Sequence, residues 1–231
     1  MSLPFVLTPE HEATLPSGLR VTYRPFLVKE EKVMLTIKES KDSREILRCM
    51  KKVVESCLIS GAEPSDLSYN DMEHLFILMR CRSVGEGVDM RHTCKSCGKD
   101  SDIKIDISNI GLSKEMPAES TVMLTETVGV TVTPIKIEGM MKIVNVVDKD
   151  PLSVLEYVVE NVFNDQQVYK FSDMESKEQK EFVESLSLGQ VQKIMDKIEE
   201  FPRVCITTTA TCLHCGATEE LKIEGMENFF T

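Results

Sequence analysis

The chain has 231 residues, 42% hydrophobic and 28% charged, the balance of an ordinary soluble protein with enough apolar material for one large or two small cores. Lysine and arginine number 27 against 38 acidic residues, and the resulting formal charge of −11 disfavours both phosphate backbones and anionic membranes. No apolar run approaches the roughly 18 residues needed to span a bilayer. The opening MSLPFVLTPEHEATLPSG lacks the basic and apolar regions of a signal peptide, so an intracellular protein is expected.

In chain order, the first 25 residues read as extended: FVLTP, a turn at Pro16-Ser17-Gly18, then the alternating LRVTYRPF, together a hairpin. VKEEKVMLTIKE follows as a helix whose end is weakened by Thr36 and Ile37. Asp42 with Glu45 three residues on marks a second helix start. Ile46, Met50, Val53, Val54, Cys57 and Leu58 then fall on one stripe, a face packed on a core. GAEPSD breaks that helix. A third is expected from about Asn70 to Ser83, burying Leu75, Phe76, Leu78 and Met79. Arg20, Arg24, Lys29 and Lys32, and again Arg44, Arg48, Lys51 and Lys52, read as solvated charge on helix faces.

Gly85 and Gly87 end the helical texture, and VDMRHT and IKIDI read as strands on either side of a first cysteine pair. VMLTETV and VTVTPIKI continue the β-rich texture, hinged at Gly129. From Met140 to Phe201 the spacing turns helical, with Leu155, Val159, Val162 and Phe163 on one stripe and Val191, Ile194, Met195 and Ile198 on another. Ser172 with Glu175 supplies a capping-box signal. RVCITTTAT and LKIEG flank a second cysteine pair as strands. The fold class expected is α+β: a helical module joined to a small β-module that contains a split zinc ribbon. The organisation expected is residues 1–84 as hairpin and helices, 85–138 as first knuckle and β-rich segment, 139–201 as a helical insertion, and 202–231 as second knuckle and closing strand.

The two pairs read TCKSCGKDSDIKID and TCLHCGATEELKIE. Two residues between cysteines let both sulfurs of a tight turn reach one metal at about 2.3 Å. Glycine after the second cysteine (Gly98, Gly216) tolerates the positive φ that curls the backbone beneath the sulfurs. Facing turns would supply a four-thiolate shell from Cys94, Cys97, Cys212 and Cys215 for one structural Zn2+. The 114 residues between Cys97 and Cys212 cost roughly 4 kcal/mol to close as a flexible loop, against about 10–16 kcal/mol for structural zinc in small peptides. An iron–sulfur cluster uses the same ligand set. A thioredoxin-like pair needs a helix start, and these pairs sit between strands. Disulfides are disfavoured in a cytosolic chain. His92 and His214 read as exposed polar residues on the turns. Cys49, Cys57, Cys81 and Cys205 read as small buried hydrophobes, and the thirteen methionines mainly as core filling.

No phosphate loop, HExxH pair or nucleophile elbow is present. Adjacent acids such as Glu30-Glu31, Glu199-Glu200 and Glu219-Glu220 point apart and read as solvated charge. Two further stretches, Tyr23-Arg24-Pro25-Phe26-Leu27-Val28-Lys29-Glu30-Glu31-Lys32 and Leu78-Met79-Arg80-Cys81-Arg82-Ser83-Val84-Gly85-Glu86, resemble the baseplate hub-assembly proteins of T-even-type contractile-tailed bacteriophages over about residues 19–107. The resemblance implies a non-enzymatic protein of the host cytoplasm during assembly or of the virion baseplate, with hub or tail tape-measure proteins as partners and no membrane. The rival class is a nucleic-acid-binding zinc ribbon. Arg91, Lys95, Lys99 and Lys104 favour it on the first unit; Glu219, Glu220 and the lack of an aromatic ring oppose it on the second.

Overall fold

The computed structural model describes residues 7–37, 42–117, 119–146 and 150–224. The start of the expected FVLTP run and the last two residues of VKEEKVMLTIKE lie outside them. In chain order the first elements are β1 (His11–Thr14), β2 (Arg20–Tyr23), α1 (Val28–Ile37), α2 (Ser43–Cys57), β3 (Leu58–Ser60), α3 (Tyr69–Val84), β4 (Gly87–Thr93), β5 (Asp100–Asp106) and β6 (Ile110–Leu112). There follow β7 (Thr121–Met123), β8 (Val128–Val132), α4 (Ile137–Val146), α5 (Leu155–Val158), β9 (Val159–Asn164), β10 (Val168–Lys170), α6 (Ser176–Ser185), α7 (Leu188–Glu199), β11 (Val204–Thr211) and β12 (Thr218–Glu224). The fold is α+β. It divides into two compact units: residues 1–113 with 203–231, and residues 114–202.

In the first unit, β1 and β2 form an antiparallel hairpin, and β3 adds to the other edge of β2. The hairpin turn closes with Gly18 N–H donating to Leu15 O at 2.8 Å, with Gly18 at φ 87°, a region glycine enters without steric penalty. Asp42 caps α2 by accepting the Arg44 N–H at 3.0 Å. Met50, Val53, Val54 and Cys57 lie fully buried along the helix, while Leu58, placed on the same stripe by sequence, leaves the helix and opens β3.

Helix α3 begins in a capping box between Ser68 and Asp71. Asp71 is itself buried, and its second oxygen accepts the Ser17 N–H at 2.9 Å, fastening the hairpin turn to the helix start. Met72, Leu75, Phe76, Ile77 and Met79 are all fully buried, which makes α3 the central helix of the unit. Three of the methionines, Met50, Met72 and Met79, are core residues.

The basic stretches sit beside acids: Arg44 on Asp42, Lys51 on Glu55, and Arg24 on Glu30. Glu30, expected as solvated charge, is in fact buried, at 3% exposure. Its oxygens accept bonds from Arg24 Nη2 at 2.9 Å, the Leu27 N–H at 2.9 Å and the Ser56 hydroxyl. Burial alone would raise this carboxyl, but the bonds from Arg24, Ser56 and Leu27 outweigh it and hold the group down at about 2.

The second unit is built on the antiparallel sheet β10-β9-β8-β7. Val122, Val130, Val132, Leu155, Val158, Phe171 and Ile194 form its core, with α6 and α7 contributing Val183 and Val191. Residues 140–201 are therefore not wholly helical. Leu155–Val158 makes one helical turn, after which Val159–Asn164 pairs with β8 and turns back into β10. A short apolar run fits either period; here the β-branched valines and the turn after Asn164 decide. The Asn164 side chain accepts the N–H groups of Gln166 and Gln167, both at 2.9 Å. Gly129 is no hinge but a position inside β8, where a Cβ would stand 2.4 Å from the Phe163 ring. The turn lies at residues 124–127, closed by Leu124 N–H to Val128 O at 2.9 Å. The start of α6 is capped by Glu175 with Glu178 rather than by Ser172.

A carboxyl held below its unfolded value contributes stability that is present above that value and is lost as pH falls through the folded one. Glu30 therefore supplies stability above pH 4.5 that disappears toward pH 2, on the order of 2 kcal/mol. The Glu30→Gln variant should lose stability at pH 7 and show a flatter acid limb in urea titrations between those values. An acid limb as steep as that of the wild type would show that Glu30 does not carry this term.

Candidate metal centre

The two cysteine pairs sit at the ends of two antiparallel hairpins. β4 and β5 pair from Gly87↔Asp106 to Thr93↔Asp100, and β11 and β12 from Cys205↔Glu224 to Thr211↔Thr218. Alternation along β5 buries Ser101, Ile103 and Ile105, and Ile206, Ala210 and Ile223 do the same on the second hairpin. Each hairpin thus reaches its knuckle on a strand anchored in apolar packing.

The knuckles repeat each other bond for bond. Cys94 N–H donates to Lys99 O at 3.0 Å and Gly98 N–H to Cys94 O at 2.8 Å; Cys212 N–H donates to Ala217 O at 2.8 Å and Gly216 N–H to Cys212 O at 2.9 Å. Gly98 and Gly216 have φ of 68° and 71°, values at which any side chain with a Cβ is disfavoured. This is the conformation expected from the glycine after each pair.

The four sulfurs of Cys94, Cys97, Cys212 and Cys215 all lie within 4.8 Å of one another. Cys94 Sγ is 3.7 Å from Cys215 Sγ, and Cys97 Sγ is 3.7 Å from Cys212 Sγ. A disulfide would hold them at about 2.0 Å. A tetrahedron with metal–sulfur bonds of about 2.3 Å has edges of about 3.8 Å. The donor set and its spacing therefore fit a tetrahedral ion such as zinc. Cys94 and Cys212 are buried; Cys97 and Cys215 lie on the exposed side.

Thiol electrostatics set Cys212 apart. The N–H groups of Cys215 and His214 aim at Cys212 Sγ, the latter at 3.4 Å, and lower that thiol to about 6. The Ala217 N–H favours a Cys215 thiolate, but the sulfurs of Cys212, Cys97 and Cys94 crowd it and push it up to about 12. One thiolate therefore opposes the next, and a cation removes that opposition. Elsewhere, burial pushes Cys49, Cys57 and Cys81 up to about 11 and raises Cys205. Cys49, Cys57 and Cys205 are buried as expected and Cys81 is half-buried.

His92 and His214 do more than decorate the turns. His92 Nε2 lies 2.6 Å from Glu219 Oε1, and His214 Nε2 lies 3.0 Å from Asp100 O, so each histidine bridges from one hairpin to the other. Glu219 was expected as solvated charge. Instead it is half-buried, its carboxyl held below its usual range by His92, while its neighbour Glu220 is exposed. The signal was the alternation of β12, which exposes Thr218, Glu220 and Lys222 and turns Glu219 and Ile223 inward.

The arrangement defines a class: two cysteine knuckles on paired hairpins, split in sequence by an inserted unit. The chain belongs to the family of T4 bacteriophage base plate proteins, whose family model matches residues 8–231 and so spans both units and both cysteine pairs. No curated protein and no solved structure matches the chain. Among the described residues, no helix is long and apolar enough to cross a membrane.

With any metal removed by a chelator, alkylation of the native chain should modify the exposed Cys97 well before the buried Cys49, Cys57 and Cys205, read by mass spectrometry of digests. Equal rates at Cys97 and at the buried three would show that this ribbon thiol is not set apart by its exposure.

Proposed function

We propose that the chain is a non-enzymatic component or assembly factor of the phage baseplate hub, acting by protein–protein contact and held together by one structural zinc ion. The observation that carries the reading is the family match through both units, with the four converging sulfurs inside it. Four thiolates fill a tetrahedral shell and leave no position for a water, so the ion would stabilise rather than catalyse. Hub or tape-measure proteins are the partners proposed, in the host cytoplasm during assembly or in the finished tail.

The strand register weighs against the nucleic-acid reading. Lys104 faces Asp89 across the first hairpin, and Arg91 faces Asp102, so these two bases on the ribbon strands are matched by acids. A phosphate-tracking surface needs the opposite.

Two outcomes test the proposal. Purified chain should contain one zinc per molecule by elemental analysis. Cys97→Ser should lower both zinc content and thermal stability, by on the order of 3 kcal/mol or roughly 6–12 °C; unchanged values would remove the zinc assignment. Affinity-tagged chain recovered from infected cells should carry baseplate hub proteins in stable proportion. Recovery with nucleic acid alone, at low salt, would favour the rival class.

A further inference from the structure

The two halves of the cluster come from hairpins that are remote in sequence, and one side chain reaches across to both parts of the opposite knuckle. Glu219 Oε1, on β12, meets His92 Nε2 at 2.6 Å and the Lys95 N–H at 3.4 Å; the other oxygen is 3.9 Å from Lys95 Nζ. His92 stands two residues before Cys94, and Lys95 stands between Cys94 and Cys97. Both partners of the short bond are shielded, with side chains 15% and 20% exposed. The other side chains that reach between the two halves, His214 to Asp100 O at 3.0 Å and Asn109 to Thr207 O at 3.3 Å, go to backbone oxygens.

We infer that Glu219, through His92 and the Lys95 N–H, is the positioning residue that holds the first knuckle against the second and so sets the geometry in which four sulfurs meet one ion. The inference rests on the metal reading above. Neither residue is a ligand: four cysteines complete the shell, and Glu219 bonds the backbone beside Cys94 rather than its sulfur. Its effect is pre-organisation. A cluster whose halves are docked before the ion arrives binds it without also having to bring distant hairpins together. Outer partners of metal ligands change affinity by about 10–100-fold when removed, and that is the range expected here.

The experiment is zinc competition against a chromophoric chelator on the full chain, with wild type, E219A, H92F and the double variant. H92F keeps the ring volume and removes the nitrogens, so it carries the same test should E219A fail to fold; circular dichroism of each metal-free protein reads folding separately. Expected are losses of about 10–100-fold for each single variant and a double variant no weaker than E219A, because the bond that H92F breaks is one of those that E219A already removes. E219Q, which keeps an acceptor oxygen for His92, should recover most of the loss. With cobalt in place of zinc, E219A should alter the visible ligand-field bands and E219Q should restore them. A wild-type chain that binds no zinc overturns the metal reading itself. Zinc-loaded wild type with unchanged affinity in E219A and H92F, or losses that simply add, overturns the clamp alone.

Discussion

Everything in the ribbon depends on residues 113 and 203 standing side by side. Ser113 N–H donates to Arg203 O at 2.8 Å, and Arg203 N–H donates to the Ser113 hydroxyl at 2.9 Å. The next residues continue the pairing as β6 on β11, from Leu112↔Val204 to Ile110↔Ile206. The chain therefore leaves the first unit and re-enters it at one point. The long separation between the cysteine pairs is not a floppy loop that a metal must close. Strand pairing closes it, and the closure entropy of the insertion falls on the folding of residues 114–202 instead.

That neck lets the sheet β12-β11-β6 treat sequence-distant strands as neighbours. The same unit contains α3, buried around most of its circumference except the half-buried stripe of His74, Leu78 and Cys81, and Asp71, which joins that helix to the hairpin turn at Ser17. Buried acids recur as fasteners: Asp71 ties a turn to a helix, and Glu30 ties Arg24, Ser56 and Leu27 together. Each is satisfied by several donors, the condition under which a buried carboxylate stabilises rather than disrupts.

Much of this was legible in the chain because the physics was local. Thr-Cys-x-x-Cys-Gly, written twice, determined the knuckles, since both the metal reach and the positive φ depend on adjacent residues only. The helix starts at Asp42 and Ser68 lie beside their capping partners in sequence. What escaped was long-range. Val159–Asn164 had spacing that suited a helix, and only pairing with β8 makes it a strand. Gly129 looked like a hinge because nothing nearby in sequence reveals the Phe163 ring that covers it. Glu30 and Glu219 looked solvated because their partners, Ser56 and His92, are 26 and 127 residues away. Charge character in sequence does not disclose burial; the alternation of the strand or the company of an arginine comes closer.

The unequal depth of the four sulfurs gives the cluster an inside and an outside. Cys94 and Cys212 are walled in by the hairpins, while Cys97 and Cys215 face solvent. An incoming ligand meets the outer pair first, so exchange of a bound ion would proceed stepwise through that face, with the inner pair detaching last. The ribbon thereby opens on one side, and an ion held there would leave past two residues rather than four.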